Sequence, residues 1–243
     1  MTNEAVFNLS AFAERLLREK RKVALAFTIK NAVDSRSLQV DLIFSLEACD
    51  ALAFSLDNRM DQPADFRETS EAALMSYIVL LYARATKTES EVRKQYDPRS
   101  RFTAAELKVH KELCDLRDNA VAHFGTGGSY VGDWVRELAV MDVVDFVARP
   151  AIITRRLIVD RPLLTRARAQ ITRALEIIRP VCVKRMKALT DEIDKECAAD
   201  PEFYKEVHQH PLNAVLFLGG EEQAARMRQG RAQGQARGAF GHD

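Results

Sequence analysis

Thr103-Ala104-Ala105-Glu106-Leu107-Lys108-Val109-His110-Lys111-Glu112-Leu113-Cys114-Asp115-Leu116-Arg117-Asp118-Asn119-Ala120-Val121-Ala122-His123-Phe124 is the stretch that decides the fold class. Thr103 and Glu106 stand three apart, so hydroxyl and carboxylate can each satisfy a free backbone amide of the other, the capping box that opens a helix. Leu113, Leu116, Ala120 and Phe124 then recur at three- and four-residue steps, the stripe that one helix face buries. Gly125, Gly127 and Gly128 follow and stop it. The spacing predicts one amphipathic helix from Thr103 to about Phe124.

The chain on either side repeats this pattern. Upstream, Phe12, Leu16, Leu17, Val23 and Phe27 predict a first helix over Ser10 to about Thr28. Leu42, Leu46, Cys49 and Ala53, widened by Phe44, Leu52 and Leu56, predict a second over Leu38 to Leu56, lying near the core. Pro63 interrupts the chain, and Asp65 with Glu68 reads as the cap of a third helix whose stripe is Leu74, Ile78, Leu81 and Ala85. Lys87 to Arg101 is basic and polar, with a turn signal at Asp97-Pro98.

Downstream, Val135, Val140, Val143, Val144, Val147, Ile152, Ile153, Ile158 and Val159 gather around Arg149-Pro150 and predict a β-hairpin within residues 134–160. Leu164, Ile171, Leu175 and Ile178 restore helical spacing from Asp160 to Glu196, where Pro180 is expected to kink or divide the helix. Asp200-Pro201 opens a short last helix. After Gly219-Gly220 the residues are mostly Gly, Gln, Ala and Arg, so 221–243 is expected to be a disordered polar tail. The fold expected is mainly α: an antiparallel helical bundle with an inserted hairpin, residues 1–220 forming a single domain.

Composition agrees with a folded chain, since apolar types make up 47% and charged types 29% of 243 residues, with only 10 Gly and 7 Pro. The net charge of +1 names no partner, so any nucleic-acid site must come from local clustering of Lys and Arg. Met1 to Lys20 lacks the basic start and apolar run of a signal peptide, and Tyr77 to Ala83 is the longest wholly apolar stretch, far below the roughly 18 residues of a membrane span. The expectation is a cytoplasmic protein without a membrane segment. Cys49, Cys114, Cys182 and Cys197 are scattered with no C-x-x-C pair, which signals neither zinc nor a disulfide framework. His208-Gln209-His210 has metal-like spacing but stands alone beside Pro211 and reads as a surface turn. No metal and no cofactor are expected. A P-loop, a G-x-S-x-G elbow and an H-E-x-x-H pair are all absent from the sequence, which removes several enzyme classes.

What remains is the end of the Thr103 helix. At about 100° per residue, Arg117 and His123 flank the apolar stripe on opposite sides, about 9 Å apart along the axis. One helix cannot close them into a site, but two copies about a two-fold axis can set two Arg and two His around a shared cleft. Asn119, four residues before His123, lies on its side of the helix and can orient the ring.

The run Arg117-Asp118-Asn119-Ala120-Val121-Ala122-His123, preceded by Leu113 and Leu116, resembles the R-x(4 to 6)-H motif of HEPN domains, particularly the abortive-infection type whose motif helix ends in Ala-His. The resemblance covers this helix and a rough count of helices over about 38–198. It implies an all-helical homodimer that cleaves RNA without a metal, paired with an antitoxin protein or serving in phage defence. His123 is then the general base that takes the ribose 2′-hydroxyl proton, or the general acid of the same reaction, Arg117 the phosphate ligand, and Asn119 the residue that orients His123. Lys87, Arg93, Lys94, Arg99 and Arg101 are the cations expected to track the RNA backbone, with Tyr96 and Phe102 as stacking faces.

Plainer readings stand beside these. His123 also suits a last helical turn through the dipole alone, Arg117 also suits a structural ion pair with Asp118, Glu112 or a neighbouring helix, and the basic loop, diluted by Glu89, Glu91 and Asp97, also suits a solvated connection. On those readings the chain is a non-catalytic helical dimerisation or partner-binding module.

Overall fold

The computed structural model describes residues 6–58, 63–87, 96–118, 135–144, 147–156 and 161–232. The described residues are mainly helical with one two-stranded sheet, as the sequence predicts. In order they form α1 (Leu9–Arg18), α2 (Val23–Asp57), α3 (Ala64–Thr86), a single 3₁₀ turn at Arg99–Arg101, α4 (Ala104–Leu116), β1 (Val135–Val144), β2 (Val147–Arg156), α5 (Arg161–Ala199), α6 (Phe203–His208), α7 (Ala214–Leu218) and α8 (Glu221–Ala232). They divide into two compact units, Met1–Lys30 with Lys187–Asp243, and Asn31–Met186. α2 and α5 each contribute a segment to both.

The boundary of the first helix differs from expectation, because Lys20 and Lys22 adopt left-handed backbone angles, φ 56° and φ 41°. α1 closes in a Schellman motif: the Lys20 amide bonds the Leu17 carbonyl at 3.2 Å and the Arg21 amide the Leu16 carbonyl at 3.0 Å. Pattern alone missed it because Gly usually fills this position. Once restarted, α2 runs without a break through residues 29–37, which joins the first predicted segment's end to the whole of the second. Polar residues there are absorbed: the Ser35 hydroxyl donates to the Ala32 carbonyl at 2.9 Å, and the Ser35 carbonyl accepts from Cys182 Sγ at 3.1 Å.

α3 starts at Ala64 with Pro63 in the cap position, so Asp65 is an early helical residue rather than the cap. The capping box of α4 is present in full, with the Thr103 amide donating to Glu106 Oε2 at 2.6 Å and the Glu106 amide to Thr103 Oγ1 at 3.3 Å. β1 and β2 pair antiparallel from Val135↔Arg156 to Val144↔Val147, which matches the predicted hairpin. Pro180 sits inside α5 without dividing it. α8 occupies Glu221–Ala232, where a disordered tail was expected; residues 233–243 lie outside the described set.

In the Asn31–Met186 unit the helices alternate in direction. Asp41 meets Arg84 and the Ser45 hydroxyl donates to the Ile78 carbonyl at 3.0 Å, so α2 and α3 are antiparallel. Arg161 meets Asp57, Arg168 meets Asp50, and Cys182 meets Ser35, which sets α5 antiparallel to α2. Arg166 grips Glu112 at 2.7 Å and Arg173 approaches Glu106 at 3.3 Å, which sets α4 antiparallel to α5. Leu42, Leu52, Ile78, Leu113, Leu116, Ile171 and Leu175 fill the core between them. Burying side chains of this size contributes roughly 1.5 to 3 kcal/mol each.

The other unit is built on Phe12, Leu16, Leu25 and Phe203. Its His208-Gln209-His210 segment is more than a surface turn, because it clamps the start of the chain. The Asn8 amide donates to the His210 carbonyl at 2.7 Å, Arg15 Nη1 donates to Gln209 Oε1 at 2.6 Å, and the His208 ring lies 4.3 Å from the Phe7 ring.

Candidate functional site at the end of α4

Arg117 follows the last α-helical residue, Leu116, which is buried together with Leu113. That burial anchors the helix end and places Arg117 at its margin, where the side chain is 33% exposed. Residues 117–118 widen into a π-type turn, a local form that often marks functional positions. Arg117 Nη1 donates to Asp118 Oδ1 at 2.8 Å, and Asp118 Oδ2 accepts from Lys87, the residue that follows α3. Burial raises the Asp118 carboxyl, but the hydrogen bonds and charges of Lys87 and Arg117 outweigh it and hold the pKa below its ordinary value. Asp118 is therefore an anion bridging two cations that come from two helices.

Of the other expected site residues, Asn119 and His123 lie outside the described residues, as do Arg93 and Lys94. Arg99 is bound to Asp97 through Nε at 2.8 Å and Nη2 at 2.7 Å, with its own amide also donating to that carboxylate. The carboxyl of Asp97 is lowered by these bonds, against an upward push from burial. Arg101 is exposed and its carbonyl accepts from Arg173 at 3.3 Å. Phe102 does not form a stacking face: it is buried, with its ring 5.7 Å from that of His110. Tyr96 is half-buried against the same core. Glu112, one alternative partner for Arg117, is instead held by Arg166.

Sequence reasoning missed a polar cluster behind this margin. Gln170 Nε2 donates to the Tyr82 hydroxyl at 3.1 Å, which leaves the phenolic hydrogen to donate to His110 Nδ1 at 2.9 Å. The His110 ring then carries its hydrogen on Nε2, 3.7 Å from Cys114 Sγ. All four residues are buried. Burial foremost, then the positive charge of Arg99, lowers the His110 pKa below 6.5, with Asp97 opposing and Lys87 adding to the depression. Desolvation likewise raises the Tyr82 hydroxyl and pushes the Cys114 thiol up to about 11. The signal was present in the sequence: His110, Leu113, Cys114 and Arg117 follow one another at i, i+3, i+4 and i+7, which puts the imidazole on the buried side of the same helix.

The arrangement is a neutral, desolvated polar core beneath a rim of Lys87, Arg99 and Arg117. Such a rim can hold an anion while the core keeps α3, α4 and α5 in register. Among the described residues, no group of three or more His, Cys, Asp or Glu side chains is arranged to hold a metal, and no helix is long and apolar enough to cross a membrane. Comparison with protein-family models, curated proteins and solved structures found no match for the chain.

Proposed function

We propose that the chain is a HEPN-like, metal-independent endoribonuclease acting as a homodimer. The observation that carries this reading is the Arg117-Asp118-Lys87 bridge at the end of α4. It supports the reading because a guanidinium held by a carboxylate on one side and partly open to solvent is pre-oriented for a phosphate, with less side-chain freedom to lose on binding. The polar residue after the Arg, part of the motif's resemblance, then has a physical task.

In this mechanism Arg117 binds the scissile phosphate and stabilises the charge that builds on its oxygens. His123 takes the 2′-hydroxyl proton, the oxygen attacks the adjacent phosphorus, and the 5′-oxygen of the next nucleotide leaves with a proton supplied by an acid. The products are a cyclic phosphate and a free 5′-hydroxyl. Asn119 orients His123, and Lys87, Lys94, Arg99 and Arg101 contact the backbone. An antitoxin protein that masks the site is the partner this reading implies, in a cytoplasmic toxin or phage-defence setting.

The test is cleavage of labelled transfer and messenger RNA in EDTA by the wild type, Arg117→Ala and His123→Ala, after matching their circular dichroism. The expected result is a cyclic-phosphate product from the wild type alone. Cleavage of equal rate by all three, or by none, rejects the reading. A second reading, a non-catalytic helical interaction module, is favoured by the pairing of Arg117 with its own neighbour Asp118, which is also how a purely structural arginine is used.

A further inference from the structure

β1 and β2 make up the whole sheet among the described residues, and a two-stranded hairpin alone in water is only marginally stable. Neither of its faces is covered. Met141 and Ile152, on one face by register, are 70% and 76% exposed, and Ile153, on the other, is 55% exposed. Among the described residues no backbone hydrogen bond joins the hairpin to another element. It stands clear of the helices, with both edges open to a partner.

The two edges differ. Pro150 is paired with Met141, and proline has no amide hydrogen to give, so this is a pair whose backbone groups point away from each other. Pro150 therefore leaves a gap in the donors along the outer edge of β2, a common guard against strand addition. By the alternation of the ladder, Val135, Glu137, Ala139, Met141 and Val143 turn their amides and carbonyls to the outer edge of β1, which no proline interrupts.

We propose that β1 of a second copy pairs antiparallel along this edge, making a four-stranded sheet across a two-fold axis. Charge sets the register. With the axis at Ala139, Arg136 of each copy stands opposite Asp142 of the other, in the closely spaced pairs where opposite charges interact best. Leu138 then meets Val140, and Val135 meets Val143. Moving the axis by one residue sets Arg136 against Val140 or Val144 and removes both ion pairs. The same partner answers a like-charge pair within the hairpin, where Arg136 stands opposite Arg155. Like charges so placed are destabilising, and Asp142 of the second copy enters the row on the free side of Arg136.

The hairpin is rooted at the end of the bundle that carries the candidate site. Arg166 holds Glu112, and α4 and α5 run antiparallel, so Arg161 lies level with Arg117. β2 ends at Arg156, just before α5 begins at Arg161. In the paired sheet the two roots lie at opposite ends, about 27 Å apart, so the Arg117 ends of the two copies face each other across it.

This inference rests on the homodimer reading above for its second copy and assigns the strand through which the dimer forms. About ten backbone hydrogen bonds join the copies over less area than a standard interface, so a micromolar dimer is expected. The experiment is light scattering coupled to size exclusion on the full chain, with sedimentation equilibrium for the dissociation constant. Ala139→Pro removes the outward amide at the axis and none of the hairpin's own bonds, and is expected to be a monomer with unchanged circular dichroism. Arg136→Asp and Asp142→Arg are each expected to weaken the dimer about tenfold, and the double swap to restore it. In the wild type, hydrogen exchange of the outward β1 amides is expected to slow as protein concentration rises, which decides the matter if the variants fail to fold. A monomeric wild type, a dimer that survives Ala139→Pro, a double swap as weak as the single changes, or exchange indifferent to concentration overturns the proposal. A wild-type dimer that cleaves no RNA upholds this contact and rejects the ribonuclease, whereas cleavage by a monomer does the reverse.

Discussion

Replacing Tyr82 with Phe keeps the ring in the core and removes one hydroxyl, so it isolates the buried polar cluster. Two groups lose a partner: the Gln170 amide, 2% exposed, and His110 Nδ1, in a residue 7% exposed. Neither is reached by solvent, and each buried group left unpaired costs about 1 to 3 kcal/mol. The sum is about 2 to 6 kcal/mol, a large share of the 5 to 15 kcal/mol typical of a folded domain. Urea unfolding of wild type and variant, followed by circular dichroism at constant m-value, measures it. Adding Gln170→Met to Tyr82→Phe is expected to recover part of the loss, because the second change removes an orphaned donor, giving a coupling of about 1 kcal/mol. A loss under about 0.5 kcal/mol, or strict additivity of the two changes, refutes the relay from Gln170 to His110.

The same cluster sets a pH dependence. The His110 pKa in the fold lies below 6.5, so the unfolded chain binds the extra proton; stability is full above about pH 6.5 and falls as the pH drops below it toward the folded value. Urea midpoints measured from about pH 8 down to about pH 5 are expected to fall in the wild type and to fall less steeply in His110→Gln; parallel slopes contradict the assignment. Thiol chemistry separates the cysteines: Cys197 is exposed, whereas burial raises the Cys182 thiol and pushes those of Cys49 and Cys114 up to about 12 and about 11. A thiol-specific colorimetric reagent is therefore expected to titrate one cysteine rapidly in the native protein and the remaining three only on unfolding, and fast modification of Cys114 contradicts the buried cluster.

Local chemistry made much of this protein legible. The Thr103/Glu106 box, the hairpin around Arg149-Pro150 and the long helix after residue 160 depend on neighbours within a few residues, so spacing and residue type suffice to place them. The same holds for Arg117, whose partner Asp118 is adjacent in the chain. Elsewhere the deciding partners are distant. The break at Lys20 and Lys22 rests on a left-handed turn that propensity assigns to Gly, with the Lys22 ammonium held by Glu196 and, at 3.2 Å, Asp200. The Tyr82-His110-Gln170 chain joins α3, α4 and α5, and Phe102 turns from a candidate stacking face into core because α4 carries it against His110. The outer face of α2 and α3 belongs to the same class. Of its residues the α2 pattern takes in only Phe44, since periodicity tells which side chains share a face but not which face its neighbours cover. Covering is a property of packed helices, and only the tertiary structure leaves Phe54, Tyr77 and Leu80 on the outside.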